Sequence, residues 1–254
     1  MRHREFDVEN DGLWFQALPF RYAEAGFDFD FAEKNNVHIA YNPVLINSRV
    51  SEMNEWGFVV GAYLLGSIAF GIVVSKLFGL PDPRTVGSGN PGATNVMRSG
   101  KKAAALLTLL GDAGKGWLAV WLAQHFGLTQ EWVCAVALAV FIGHLYPVFY
   151  GFQGGKGVAT AAGVLLAISP VLGLSVLATW ILAFAMWRVS SLSALIAAGF
   201  APVYAAISGF TIVTATVFVI SLLLVWRHKT NIRKLLDGTE SGFKKPAPGD
   251  QPPK

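Results

Sequence analysis

The chain has 254 residues, of which 53% are hydrophobic and only 14% charged, and its mean hydropathy is +0.47. A water-soluble domain carries about a quarter charged residues to keep its surface wet, so this composition excludes an ordinary soluble enzyme and points to a bilayer protein. The net charge of +4 conceals an asymmetry: the segment before Met53 is acidic, with five basic and nine acidic residues, whereas the apolar remainder has 15 basic and seven acidic ones.

Residues 1–52 mix acidic residues with Phe, Tyr and Trp and contain no apolar run of signal-peptide length. They are unlike the rest of the chain, and Met53 stands immediately before the first long apolar stretch. The segment is read as an extension outside the main domain, with Met53 the expected translation start and a genuine soluble extension the rival reading. Residues 53–242 form the expected membrane domain, and 243–254, rich in proline, an expected disordered tail.

From Trp56 onward, apolar stretches follow one another with short polar or glycine-rich breaks, at approximately 56–78, 103–125, 131–150, 157–170, 172–187, 191–207 and 211–226. The expected fold is therefore all-α, a polytopic membrane bundle of about seven transmembrane helices. Lys76, Arg84, Arg98, Lys101 and Lys102 follow the first stretch, Lys156 the third, Arg188 the fifth, and Arg227, Lys229, Arg233 and Lys234 the seventh. The connections near 126–130, 168–172 and 207–211 have no Lys or Arg. By the positive-inside rule every basic loop falls on the cytoplasmic face, with the N-terminus outside and the C-terminus cytoplasmic.

The chemistry-bearing residues gather on that face. After the first stretch comes Gly87-Ser88-Gly89-Asn90-Pro91-Gly92-Ala93-Thr94-Asn95, followed by Arg98, Lys101 and Lys102. Glycines that bring backbone N–H groups close, hydroxyls and adjoining cations together suit an anion cradle. The nucleotide-binding GxxxxGK[ST] pattern is absent, and a flexible interhelical loop is the bland alternative. After the third stretch, Gly154-Gly155-Lys156-Gly157 sets an ammonium among backbone donors at the start of an apolar helix, a second candidate anion site; the alternative is a snorkelling lysine. The last cluster comprises Ser191-Leu192-Ser193 and Trp226-Arg227-His228-Lys229-Thr230-Asn231-Ile232-Arg233, with Glu240 beyond. His228 and Asn231 are spaced to share a helical face, although a basic juxtamembrane patch on anionic lipids would read the same way. Asp112 and Lys115 interrupt the second stretch at a spacing that permits pairing, and His144 precedes the second glycine loop with no catalytic role assigned.

Taken together, GSGNPGATN, the aspartate and lysine of GDAGKG, GHLYPVFYGFQGGKGVAT, the SLS turn and RHKTNIR with its following glutamate resemble the PlsY family, from about 54 to 242. These are bacterial integral-membrane acyl-phosphate:glycerol-3-phosphate acyltransferases. The resemblance implies transfer of a fatty acyl group from acyl phosphate to the 1-hydroxyl of glycerol 3-phosphate in the cell inner membrane, with the active site on the cytoplasmic face. It implies that Ser88, Asn90, Thr94 and the loop glycines hold the acyl phosphate, while Arg98, Lys156, Ser193, His228 and Asn231 grip glycerol 3-phosphate. Ser88, Arg98, Lys156, His228 and Asn231 are thus the expected catalytic set. Gly87, Gly89, Asn90, Thr94, Asn95, Gly154, Gly155, Gly157, Ser193 and Glu240 are the expected substrate-binding set, Glu240 more for architecture than for proton transfer. Membrane lipids are the expected surroundings, and no cofactor, metal, nucleic acid or obligate protein partner is called for.

No His-x4-Asp pair occurs in the chain, and Cys134, the lone cysteine, lies toward the outer half of its stretch. Neither a His-Asp acyltransferase nor a cysteine acyl-enzyme is supported. Direct attack by the glycerol hydroxyl is the expected mechanism, with His228 as general base its competitor. A transporter of an organic phosphate is the alternative function, for which binding residues would be expected near the bilayer midplane.

Overall fold

The structure, a computed structural model, describes residues 55–209 and 211–242; the expectations for 1–52 and 243–254 fall outside the described residues. Helices α1 (Glu55–Gly66) and α2 (Phe70–Leu77) are followed by a loop and the short α3 (Ala93–Met97). Next come α4 (Lys102–His125), α5 (Gln130–Leu145), a 3-10 turn (Val148–Tyr150) and α6 (Val158–Ile168). The described chain closes with α7 (Pro170–Trp187), α8 (Ser190–Ile207), α9 (Thr211–Arg227) and α10 (Lys229–Leu236). Among the described residues there is no strand.

Each of the seven predicted spans has a helical counterpart, but they are not equal. The α4, α7 and α8 helices, and α5 with its 3-10 turn, are each long and apolar enough to cross a membrane. The count rises to six if the bent pairs α1–α2 and α9–α10 each form one span. With 11 residues α6 rises about 16 Å, roughly half a hydrocarbon core. The predicted span 56–78 is broken: α2 leaves α1 at 44°, and residues 67–69 between them are not helical. Continuous hydropathy conceals this break, because Ser67, Ile68 and Ala69 are as apolar on average as the helices around them.

Exposed leucines at 106, 107, 109 and 110 on α4, with Leu182 and Met186 on α7, cover the outside, as expected where lipid rather than water is the solvent. Inside, Val120, Val136, Val140, Phe141, Leu145 and Val164 are almost wholly buried and unite α4, α5 and α6. A second cluster, Cys134, Leu165, Leu172, Ala201, Ala205, Val213 and Val217, joins α5 and α6 to α7, α8 and α9. Lipid tails supply no hydrophobic drive between helices, so association rests on close backbone approach. At α4–α6 the backbone of Gly116 lies on Thr160 O and that of Gly163 on Ala113 O; at α1–α5 Gly66 lies on Val140 O and Gly143 on Tyr63 O. Any side chain at these four positions would part the helices. They fix α4 against α6 and α1 against α5, and with the core shared by α4, α5 and α6 they form a base on which the connecting loops at one end are mounted.

Candidate active site

The first glycine-rich loop is folded by Asn95 from α3. Its Oδ1 accepts the Ser88 backbone N–H at 2.9 Å, and its Nδ2 donates to Pro83 O at 2.8 Å and Val86 O at 3.1 Å. Asn95, expected among the substrate contacts, stands in the structure as a builder of the cradle: it is buried and both amide hydrogens are engaged within the loop. Gly87 and Gly89 have φ of +59° and +70°, a region where other residues are strained, and a Cβ on Gly87 would collide with Asn95 Oδ1. Two further ties hold the loop. Arg84 chelates Asp82 at 2.7 Å and reaches Tyr150 O at 3.4 Å, and Thr94 Oγ1 lies 3.2 Å from Ser190 Oγ at the start of α8.

The second glycine loop hangs from Arg227 at the end of α9. Its Nε donates to Gly155 O at 3.1 Å and one terminal nitrogen to Gly154 O at 2.8 Å, while the guanidinium lies 5.3 Å over the Tyr146 ring. The fork satisfies two successive carbonyls that no helix serves, a geometry a lysine cannot reproduce. Sequence reasoning assigned Arg227 no role beyond the basic cluster; its one signal was an arginine immediately after an apolar span. Gly157, at φ +86°, caps α6 where any Cβ would strike Phe141.

Lys156, the residue this loop presents, is fastened from the C-terminal side. Its Nζ donates to Asn231 Oδ1 at 2.5 Å, Asn231 Nδ2 donates to Glu240 Oε1 at 2.6 Å, and Ser191 Oγ donates to the same oxygen at 2.6 Å. Glu240 thus ties the segment beyond α10 to α8 and holds the Asn231 amide in place. Burial lowers the Lys156 pKa to about 8; Glu240 opposes the shift, while Lys234, Arg227 and Arg98 add to it. Arg98, at the end of α3, has its side chain beside Gly87 and its charge within reach of Lys156.

His228 sits at the α9–α10 junction, 2% exposed. Its Nδ1 lies 2.8 Å from Leu224 O, an oxygen that can only accept, so Nδ1 carries the proton and Nε2 is left as the ring's acceptor. Burial holds its pKa down to about 4 against the opposing Leu224 bond, and the imidazole is neutral at neutral pH. Ser193 is fully buried in α8 with its hydroxyl donating to Val189 O at 2.9 Å.

Between the loops lies an open polar cleft of about 210 Å³, lined by Ser88, Gly89, Asn90, Gly154, Lys156, Trp226, Arg227, Lys229 and Thr230. The structure brings the first five of these, all predicted, directly to the cleft. Gly87, Thr94, Asn95, Gly155, Gly157, Asn231 and Glu240 stand behind it as supports, and Trp226, Arg227, Lys229 and Thr230 are lining residues that no site assignment had included. Among the described residues no three His, Cys, Asp or Glu side chains gather to hold a metal. The arrangement can bind anions: the ammonium groups of Lys156 and Lys229, the guanidinium of Arg227 and glycine-rich backbone converge, with one neutral imidazole nearby.

The comparisons with known proteins agree with this geometry. The family model described as glycerol-3-phosphate acyltransferase matches residues 56–238. A glycerol-3-phosphate acyltransferase of Methylobacillus flagellatus is 68% identical over 197 residues, covering 76% of this chain and 99% of that one. A crystal structure of PlsY, an integral membrane glycerol 3-phosphate acyltransferase in its glycerol 3-phosphate form, superposes with a TM-score of 0.72 at 42% identity, over 75% of this chain and 96% of that one. The lysophosphatidic acid form of PlsY gives 0.70 at 40% identity, over 75% and 95%. With the family model spanning well over half of its length, this chain belongs to the integral membrane glycerol-3-phosphate acyltransferases of the PlsY family.

Proposed function

We propose that this protein transfers a fatty acyl group from acyl phosphate to the 1-hydroxyl of glycerol 3-phosphate, releasing 1-acylglycerol 3-phosphate and inorganic phosphate at the cytoplasmic face of the bacterial inner membrane. The observation that carries the reading is the convergence of both glycine-rich loops and Lys156 on one polar cleft at one end of the bundle. Two phosphorylated reactants need two adjoining anion sites, and a cleft at one end is not the midplane site that transport would need. The basic connections cluster at that end, which supports a cytoplasmic orientation.

In this reading Ser88, Gly89 and Asn90 receive the acyl phosphate, and Lys156 with Arg98 neutralises glycerol 3-phosphate. Asn231 and Glu240 hold Lys156 in place, and Lys156 keeps its other ammonium hydrogens for phosphate. The 1-hydroxyl oxygen attacks the acyl carbonyl carbon, the carbon–phosphate oxygen bond breaks, and phosphate leaves with the electron pair. The hydroxyl proton passes to a phosphate oxygen. A side-chain base is not required because the leaving group is already activated. A His228 whose pKa lies about 4 is a weak proton acceptor, and it serves better as an orienting acceptor through Nε2. Alignment and fixed positive charge supply the catalysis.

The test uses purified protein in detergent, palmitoyl phosphate and glycerol 3-phosphate, with neither CoA nor ATP. Release of phosphate with formation of lysophosphatidic acid is expected. Turnover with palmitoyl-CoA but not with palmitoyl phosphate would remove the donor assignment and leave the family activity intact.

A further inference from the structure

One buried cluster takes no part in the chemistry above. Asp112 and Lys115 point inward from α4, three residues apart, with carboxylate and ammonium separated by 2.9 Å and side chains 3% and 1% exposed. His144, on α5, brings Nδ1 to 3.4 Å from the same Asp112 oxygen. Taking an ion pair out of water carries a desolvation penalty that its mutual attraction only partly offsets, and the penalty is larger inside a bilayer. An apolar pair of similar volume would pack there at no such cost, so the groups must serve another purpose.

Their outward contacts supply it. Lys115 Nζ also donates to Ile68 O at 2.6 Å. That carbonyl lies in the break between α1 and α2, where the N–H of Ile72 turns to Ala69 O instead. A backbone carbonyl freed at membrane depth needs a partner, and Lys115 supplies one. Immediately beyond, Gly71 of α2 lies so close to Pro91 O that no side chain would fit between them, and Pro91 belongs to the first glycine loop. On the other side His144 carries the second loop: its carbonyl accepts the Gly155 N–H at 3.1 Å, and its ring packs against Gly155 where a Cβ would overlap Nε2. Gly155 immediately precedes Lys156.

We propose that Asp112, Lys115 and His144 form a positioning unit that sets the distance between the two anion-binding loops, and hence the alignment of donor and acceptor, without touching either. Lys115 reaches the first loop through Ile68, α2 and Gly71; Asp112 reaches the second through His144 and Gly155. The proposal rests on the assignment of the two loops to the two substrates made above.

The experiment separates positioning from mere support. In Lys115→Met the carboxylate is left unpaired, and both stability and turnover fall. In the double variant Asp112→Asn/Lys115→Met the buried charge is gone, so the melting temperature recovers toward that of the parent. The Ile68 carbonyl remains without its donor, so kcat stays at least tenfold low. His144→Leu retains bulk but alters the support of Gly155. It raises the dissociation constant for glycerol 3-phosphate at least fivefold, measured by calorimetry without donor, and leaves the KM for palmitoyl phosphate within twofold of the parent. Recovery of kcat together with melting temperature in the double variant would overturn the proposal, as would unchanged glycerol 3-phosphate affinity in a folded His144→Leu protein. Because the calorimetric arm contains no acyl donor, a wrong donor assignment and a wrong role for the cluster give different results.

Discussion

The depressed pKa of Lys156 predicts that acceptor binding fails on the alkaline side well before lysines ordinarily titrate. Burial brings the group to about 8 from a usual 10.5, so raising the pH through 8 removes the ammonium proposed to bind glycerol 3-phosphate. If only the charged form binds, kcat/KM for glycerol 3-phosphate follows one deprotonation, about tenfold below its plateau at pH 9 and about a hundredfold at pH 10. The second ionisation of a phosphate monoester lies near pH 6 and does not contribute to this limb. Bound phosphate retains the proton on Lys156, so kcat itself falls later than kcat/KM. Unfolding is distinguishable by sign. Between about 8 and 10.5 the unfolded chain holds a proton on Lys156 that the native state lacks, so this group makes the protein more stable as pH rises while activity falls. The assay is initial-rate phosphate release at saturating palmitoyl phosphate from pH 6 to 10, with melting temperatures at each pH. Lys156→Arg is the control: a guanidinium stays charged throughout, so the limb disappears even if the plateau drops. A flat parent profile to pH 10, or a limb of unchanged midpoint in Lys156→Arg, would refute the reasoning.

Glu240→Gln retains the oxygen that accepts from Ser191 and Asn231 but removes the charge that holds the Lys156 pKa up, so the alkaline midpoint moves below 8 with little loss of melting temperature. Glu240→Ala loses both bonds and about 1–3 kcal/mol of stability, read by thermal unfolding. His228→Asn can still donate toward Leu224 O and retains more turnover than His228→Ala; equal losses of a thousandfold or more in both would restore the general-base mechanism. Gly71→Ala forces α2 away from Pro91, and kcat with palmitoyl phosphate falls at least tenfold while glycerol 3-phosphate affinity by calorimetry changes less than threefold.

The helical bundle and the loops that meet in the cleft were legible in the sequence, because apolar runs, basic connections and glycine-rich motifs each have a direct physical signature. Ser88, Gly89, Asn90, Gly154 and Lys156, all drawn from the two glycine-rich motifs, line one cleft. What stayed hidden depends on pairings distant in sequence. Asn95 looks like any polar loop residue until its amide is found closing on Pro83, Val86 and Ser88. Arg227 looks like a membrane anchor until its fork meets Gly154 and Gly155, more than seventy residues earlier. The break at 67–69 has no hydropathy signal, since the group that answers it is Lys115 on α4, distant in sequence, whose ammonium donates to the freed carbonyl of Ile68.

These hidden pairings have one physical cause. A substrate cleft at a membrane edge needs irregular backbone, and irregular backbone near hydrocarbon exposes polar groups that must be satisfied within the protein. Lys115 answers the carbonyl of Ile68, Ser67 Oγ accepts the N–H of Val148 at 3.3 Å, and Arg227 answers two carbonyls of the second loop. These three side chains are thus committed to backbone. Lys156 differs: an ammonium has three hydrogens, one bond goes to Asn231, and the residue also lines the cleft. The same burial that makes its charge effective toward a phosphate also makes that charge easiest to lose, which is why its titration is the most direct probe of the site.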